Sequence, residues 1–169
     1  MKEIKIDTKI NVGDMYNFYL HHTYSGIGGL ISIVFGLAMF VVAAYTYGDV
    51  PQGHSVIYII FGFFFLFFNP INYYLKAVKV VKTTPTYKEP ISYHFHDEGI
   101  TTSQKEESTT IKWEDVQQIT ASRRSVLIYM TKQRANIIPR RAIGENYEDF
   151  AAVVTEKLEP SKIKLKQLK

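Results

Sequence analysis

The chain has no cysteine. Disulfides, thiolate nucleophiles and thiolate metal sites are excluded with it. It has no phosphate-cradling glycine loop and no Gly-x-Ser-x-Gly nucleophile turn. Ser103, Ser108 and Ser125 sit in polar, turn-rich stretches, and Glu106-Glu107 and Glu114-Asp115 are neighbours in sequence, not groups that must converge. These absences point away from an enzyme, and no catalytic residue, cofactor or metal is assigned. Helix-turn-helix and RNA-binding signatures are missing, and acids are interspersed among the bases. Nucleic acid is therefore not an expected partner.

The most informative absence is charge. Residues 26–47 hold no charged side chain, and neither do residues 50–75, which include Phe63-Phe64-Phe65-Leu66-Phe67-Phe68. Each run supplies about 20 helical residues, which at ~1.5 Å per residue crosses the ~30 Å hydrocarbon core of a bilayer. The reading is a transmembrane hairpin over residues 26–82, with spans at 26–47 and 55–75 and a short turn between them. The competing reading is a buried helical hairpin in a soluble protein. A cleaved signal peptide fits poorly, because the first run is long, starts late and is followed at once by a second.

Lys2, Lys5 and Lys9 precede the spans, the turn holds only Asp49, and the other 17 of the 20 Lys and Arg follow Leu75. The positive-inside rule then puts both termini in the cytoplasm of a multi-pass protein of the cell membrane. No Asp, Glu, Lys or Arg lies within a span, which speaks against a transporter or proton relay. In the first span Gly28, Ser32 and Gly36 recur every four residues, a face on which helices can approach closely. Packing against the second span is the default use of that face, and homo-oligomerisation is the alternative. Near the end of the second span Pro70, between Asn69 and Asn72, predicts a kink.

The flanks read as one small α+β domain. Residues 1–25 give a short strand over 2–8 and an amphipathic helix that Asn11 or Asp14 can cap, with Met15, Phe18, Tyr19 and His22 on one stripe. Residues 86–160 switch to a period of two. Ile91, Tyr93 and Phe95 share one strand face and His94 and His96 the other; Asp97-Glu98-Gly99 is a turn. Further short strands follow to Asn136–Pro139, giving about seven in all. A helix over 145–158 carries Tyr147, Phe150, Ala151, Val154 and Leu158 on one side. A meandering antiparallel sheet that curls into a partly closed barrel under this C-terminal helix is a pleckstrin-homology-like arrangement. The basic tail, 161–169, is read as solvated and frayed or as touching the membrane.

Three patterns carry a resemblance: Tyr93-His94-Phe95-His96-Asp97-Glu98-Gly99-Ile100, Trp113-Glu114-Asp115-Val116 and Ile138-Pro139-Arg140-Arg141. With them the chain resembles the YcxB-like small bacterial membrane proteins. The resemblance implies a cytoplasmic pleckstrin-homology-like domain on a two-span anchor and no reaction. It also implies that strand 2–8 joins the sheet of residues 91–139, so that the spans are an insertion into the domain.

Arg123, Arg124, Arg140 and Arg141 are the candidate binding residues, since guanidinium forks suit phosphate and carboxylate; their bland reading is solubilising turns. The function expected is a non-enzymatic adaptor or regulator binding a protein partner or anionic lipid beside the bilayer. The alternative is a small accessory subunit of a membrane transport or channel complex. Trp113 is expected in the core. His94 and His96 are expected to face water without a third ligand.

Overall fold

A computed structural model describes residues 3–122, 124–131 and 134–165. The chain forms two compact units, one from Met1–Phe18 and Lys79–Lys169 and the other from Tyr19–Val78. The architecture is α+β.

In the first unit, β1 (Ile4–Thr8) pairs antiparallel with β2 (Ile91–His96), Ile4 opposite Phe95 and Thr8 opposite Ile91. This strand therefore joins a sheet whose next strand lies more than 80 residues on. Two-residue turns then lead to β3 (Gly99–Gln104) and β4 (Glu107–Lys112), completing an antiparallel sheet in the order β1-β2-β3-β4. Gly99, expected in the turn, opens β3 instead. A Cβ there would lie 2.1 Å from the Ile111 carbonyl oxygen, so the close approach of β4 requires glycine.

The second sheet is separate. β5 (Gln118–Ala121), β6 (Ser125–Tyr129) and β7 (Ala135–Pro139) form an antiparallel meander, and β8 (Ile163–Lys164) joins β5 in parallel. The sequence reading of one curling sheet of about seven strands is corrected to two sheets of four. The break falls at the 3-10 turn Trp113–Asp115, where the chain leaves β4 without pairing it to β5. The tail reading is corrected as well: residues 163–164 are a strand, while residues 166–169 lie outside the described residues.

Alternation explains the core. Ile91, Tyr93 and Phe95 are buried along β2, as are Ile4 and Ile6 along β1. Ile119, Leu127 and Ile138 come from the second sheet. The chain then turns through α4 (Arg140–Ile143) into α5 (Tyr147–Lys157), which buries Phe150, Val153 and Val154. The Phe150 ring meets Phe95 edge-on at 5.2 Å. Trp113 is buried, and its indole N–H donates to the His96 carbonyl at 2.9 Å.

α1 (Val12–Tyr24) starts at a reciprocal capping box. The Asp14 amide donates to Asn11 Oδ1 and the Asn11 amide to Asp14 Oδ2, both at 2.9 Å.

The second unit holds α2 (Ile27–Tyr45) and most of α3 (Gln52–Thr83). Both are long and apolar enough to cross a membrane. Ser32 Oγ donates to the Phe65 carbonyl at 2.8 Å, Gly36 faces Gly62 and Leu66, and Phe40 faces Gly62 and Phe63. A Cβ at Gly36 would meet Leu66 Cγ at 2.8 Å, and one at Gly62 would meet the Phe40 ring at 2.8 Å. The close approach is therefore made by Ser32, Gly36 and Gly62. Gly28, expected on this face, has open space around it. α3 is continuous through Pro70 and runs eight residues past Leu75. Only 17% of the apolar window of α2 and 11% of that of α3 is buried, whereas a helix in a soluble core is mostly covered.

Candidate functional site

Three of the four candidate arginines, Arg124, Arg140 and Arg141, are neighbours, and two of them are engaged within the chain. Arg123 lies outside the described residues. Arg141, on α4, forks onto Asp14: Nη1 reaches Oδ1 at 2.5 Å and Nη2 reaches Oδ2 at 2.6 Å. Nη2 also donates to the Lys9 carbonyl at 3.2 Å. Asp14 is nearly buried and already serves the α1 cap. The hydrogen bond to this carboxylate raises the Arg141 pKa above its ordinary value. Arg141 is thus a clamp between α4 and the start of α1. Its fork is engaged within the chain.

Arg140 sits over the Tyr147 ring at 4.3 Å, a cation–π contact. Its amide donates to the Arg124 carbonyl at 2.8 Å, which ties the start of α4 to the 122–125 turn. In that turn Ser122 Oγ donates to the Ser125 carbonyl and accepts from the Ser125 amide, both at 3.0 Å. Arg124 projects from the turn, exposed. With Asn11, Gly13, Asp14 and Arg141 it lines an open depression of about 360 Å³.

A second depression, about 460 Å³, is lined by Lys9, Ile10, Asn11, Val12, Val81, Tyr87 and Lys88. Lys9 and Lys88 are exposed, whereas Ile10 is buried and Val12, Val81 and Tyr87 are half-buried. Desolvation raises the Tyr87 pKa. The hollow pairs two ammonium groups with an apolar floor. Sequence reading missed it, because its lysines are 79 positions apart and carry no shared motif. The one available signal was the basic run Lys76, Lys79, Lys82 and Lys88 following the second apolar stretch.

A third cavity, about 130 Å³, opens between the two sheets and is lined by Tyr87, Tyr93, Thr102, Gln104 and Asn136 among others. It carries no charged side chain. Gln104 Nε2 donates to the Thr86 carbonyl at 2.7 Å and to the Glu89 carbonyl at 3.2 Å, fixing the approach to β2.

The histidines face outward, with His94 Nε2 3.0 Å from Glu3 Oε2 and His96 Nε2 2.7 Å from Thr101 Oγ1. Among the described residues no group of three His, Asp or Glu converges as metal ligands would.

Residues 95–154 match the family model described as YcxB-like protein. The matched YcxB-like segment runs from Phe95 in β2 to Val154 in α5. It holds Trp113, the second meander and the Arg140–Arg141 turn. Neither long apolar helix falls within it, nor do Lys9 and Asp14. The Asp14–Arg141 clamp therefore fastens the start of α1 to the YcxB-like segment. No curated protein and no solved structure matches the chain.

Proposed function

We propose that the protein is a non-enzymatic membrane adaptor or regulator whose pleckstrin-homology-like domain holds anionic lipid at the cytoplasmic face of the cell membrane. In this reading α2 and α3 are a two-span anchor and both termini are cytoplasmic. Pairing of β1 with β2 supports the topology. One strand precedes the hairpin and the other follows it, so residues 4–8 and 91–96 must share a side of any membrane the helices cross. The positive-inside rule selects the cytoplasmic side. Two successive meanders ended by α5 agree with a pleckstrin-homology-like fold.

The observation that carries the lipid reading is the lysine-lined depression. Val81 lies on α3 six residues past Leu75, where the uncharged run ends. At 1.5 Å per residue this is about 9 Å along one helix, close to the depth of a head-group layer. Lys9 and Lys88 suit a lipid phosphate, and the half-buried Val12 and Val81 suit the apolar carbons beside it. The proposed lipid contact is the lysines and not Arg140 and Arg141, which are engaged within the chain.

The test is the amount of phosphatidylglycerol retained per molecule when the full chain is purified from membranes in mild detergent. Lys9→Glu with Lys88→Glu is expected to lower retention several-fold, while Arg140→Gln leaves it unchanged. Equal retention by the lysine double variant and the parent chain overturns the lipid reading.

A further inference from the structure

We propose that β4 is a self-pairing edge, through which two copies of this chain join antiparallel to make one continuous eight-stranded sheet. The two outer strands of the first sheet differ. β1 buries Ile4, Ile6 and Thr8 on one face. β4 (Glu107–Lys112) is exposed on both faces, Ile111 alone being half-buried. It is six residues long, pairs with β3 in unbroken register, and contains no proline or bulge. Sheet edges are blunted by such devices and by charge; β4 has charge only at its two ends, Glu107 and Lys112, and its straight backbone is a template for a strand of complementary charge.

Charge selects the occupant and its direction. Glu106 and Glu107 stand at one end of the strand, beside Lys105, which reaches Glu89 at 3.3 Å, and Lys112 stands at the other, 3.5 Å from Glu114, with Ser108, Thr109 and Thr110 between. Parallel pairing of two copies sets acid beside acid. Antiparallel pairing sets the acidic end of each copy against Lys112 of the other, and opposite charges across a pair are favourable.

Symmetry and the hairpin then fix the register. A two-fold axis normal to the sheet requires opposed residues to lie on the same face, so the pairing centres on one residue. Gln104 and Glu107 close a two-residue turn, and such a closing pair exchanges its backbone bonds. Alternation along the strand leaves Ser108, Thr110 and Lys112 with their amide and carbonyl groups directed outward. Centring on Thr109 sets each Ser108 against Thr110 of the second copy, both outward-directed, and Lys112 against Glu106. Centring on Thr110 loses that ion pair and sets Glu106 opposite Glu114. The Thr109 register is the one the charges favour.

Six residues of edge bury much less than the roughly 1,200 Å² of a stable interface, so the association is weak and is best trapped covalently. The absence of native cysteine makes this direct. In the Thr109 register the two Thr109 Cα atoms form a non-hydrogen-bonded pair, about 4.5 Å apart, within disulfide range. The full chain carrying Thr109→Cys, purified in mild detergent and mildly oxidised, is expected to give a disulfide dimer at least fivefold above Thr101→Cys on the inner strand β3. Adding Lys112→Glu is expected to lower that yield severalfold, and adding Glu106→Lys to the same chain to restore it. The proposal is overturned by a Thr109→Cys yield no greater than that of Thr101→Cys. It is equally overturned by a greater yield from Thr110→Cys, by failure of the charge swap to restore pairing, or by Thr109→Cys linking to a different protein and not to itself.

Discussion

The same residue types meet opposite fates in the two units. In the sheet unit Phe95, Phe150, Ile100 and Leu127 have no exposed surface. In the helical unit Phe61, Phe64, Phe67 and Ile60 are each about half exposed. The first pattern is a core sealed from water by two sheets and a helix. The second is a broad apolar surface left uncovered, with the helices meeting in a seam at Ser32, Gly36 and Gly62 and through the Phe35–Phe65 and Phe40–Phe63 ring pairs. Phe95 and Phe150 of the first unit are closed inside protein, whereas Phe61, Phe64 and Phe67 of the second leave about half their surface uncovered.

That contrast can be broken by mutation. Phe150→Ala removes a ring that packs against Phe95 and is expected to lower the stability of the sheet unit by about 3–5 kcal/mol. Phe64→Ala in α3 should change it by less than about 1 kcal/mol. Chemical denaturation of both variants in detergent, followed by Trp113 fluorescence, compares them directly. Equal losses would mean that the exposed phenylalanines serve a core after all.

The seam offers a sharper contrast inside the helical unit. Gly62→Leu drives a side chain into the Phe40 ring and is expected to cost about 1–3 kcal/mol of helix pairing. Gly28→Leu enters open space and should be neutral. Thermal aggregation of detergent-solubilised protein reads both, and a Gly28→Leu loss matching that of Gly62→Leu would move the seam.

The smallest effect concerns the surface of the sheet unit. Lys157 Nζ donates to Asp97 Oδ1 at 2.8 Å, joining α5 to the β2–β3 turn. This hydrogen bond holds the Asp97 pKa below and the Lys157 pKa above their ordinary values. The pair's contribution is present above the unfolded Asp pKa, roughly 4, and is lost as pH falls through the lowered folded value. At the alkaline end it is present below the unfolded Lys pKa, roughly 10.4, and is lost as pH rises through the raised folded value. Asp97→Asn should flatten the acid limb of stability against pH slightly and leave neutral stability nearly unchanged. A large loss at neutral pH would show that the pair does more than join exposed groups.

What could be read from the sequence was whatever has a local period. Ile91, Tyr93 and Phe95 alternate, so β2 and its buried face were legible. The two uncharged runs gave α2 and α3, and Pro85 marked where α3 had to stop. The separation of the sheets was not legible. It depends on the Trp113–Asp115 turn, where the indole reaches back to the His96 carbonyl, and nothing in Trp-Glu-Asp states that partner. The tail around β8 does alternate basic and apolar residues, but the strand is only two residues long and its partner Ile119 is 44 positions away, which no local pattern states. At the candidate site the arginine pairs were visible as residues, but not their engagement. Asp14 read as a helix cap, and its second role depends on Arg141, 127 positions on. Lys9 and Lys88 line one depression only because β1 and the approach to β2 are brought together.

Pairing of Ile4 with Phe95 has a consequence for how the chain is made. β1 leaves the ribosome before both long helices, and its partner only after them. At the 5–20 residues per second of translation, that delay is on the order of ten seconds. Until then β1 has no neighbour, and Ile4 and Ile6 have no core to enter. The sheet can close only once the hairpin is complete. A chain stalled anywhere between the helices would display an unpaired apolar strand ahead of them, a signature by which quality control could tell an unfinished molecule from a finished one.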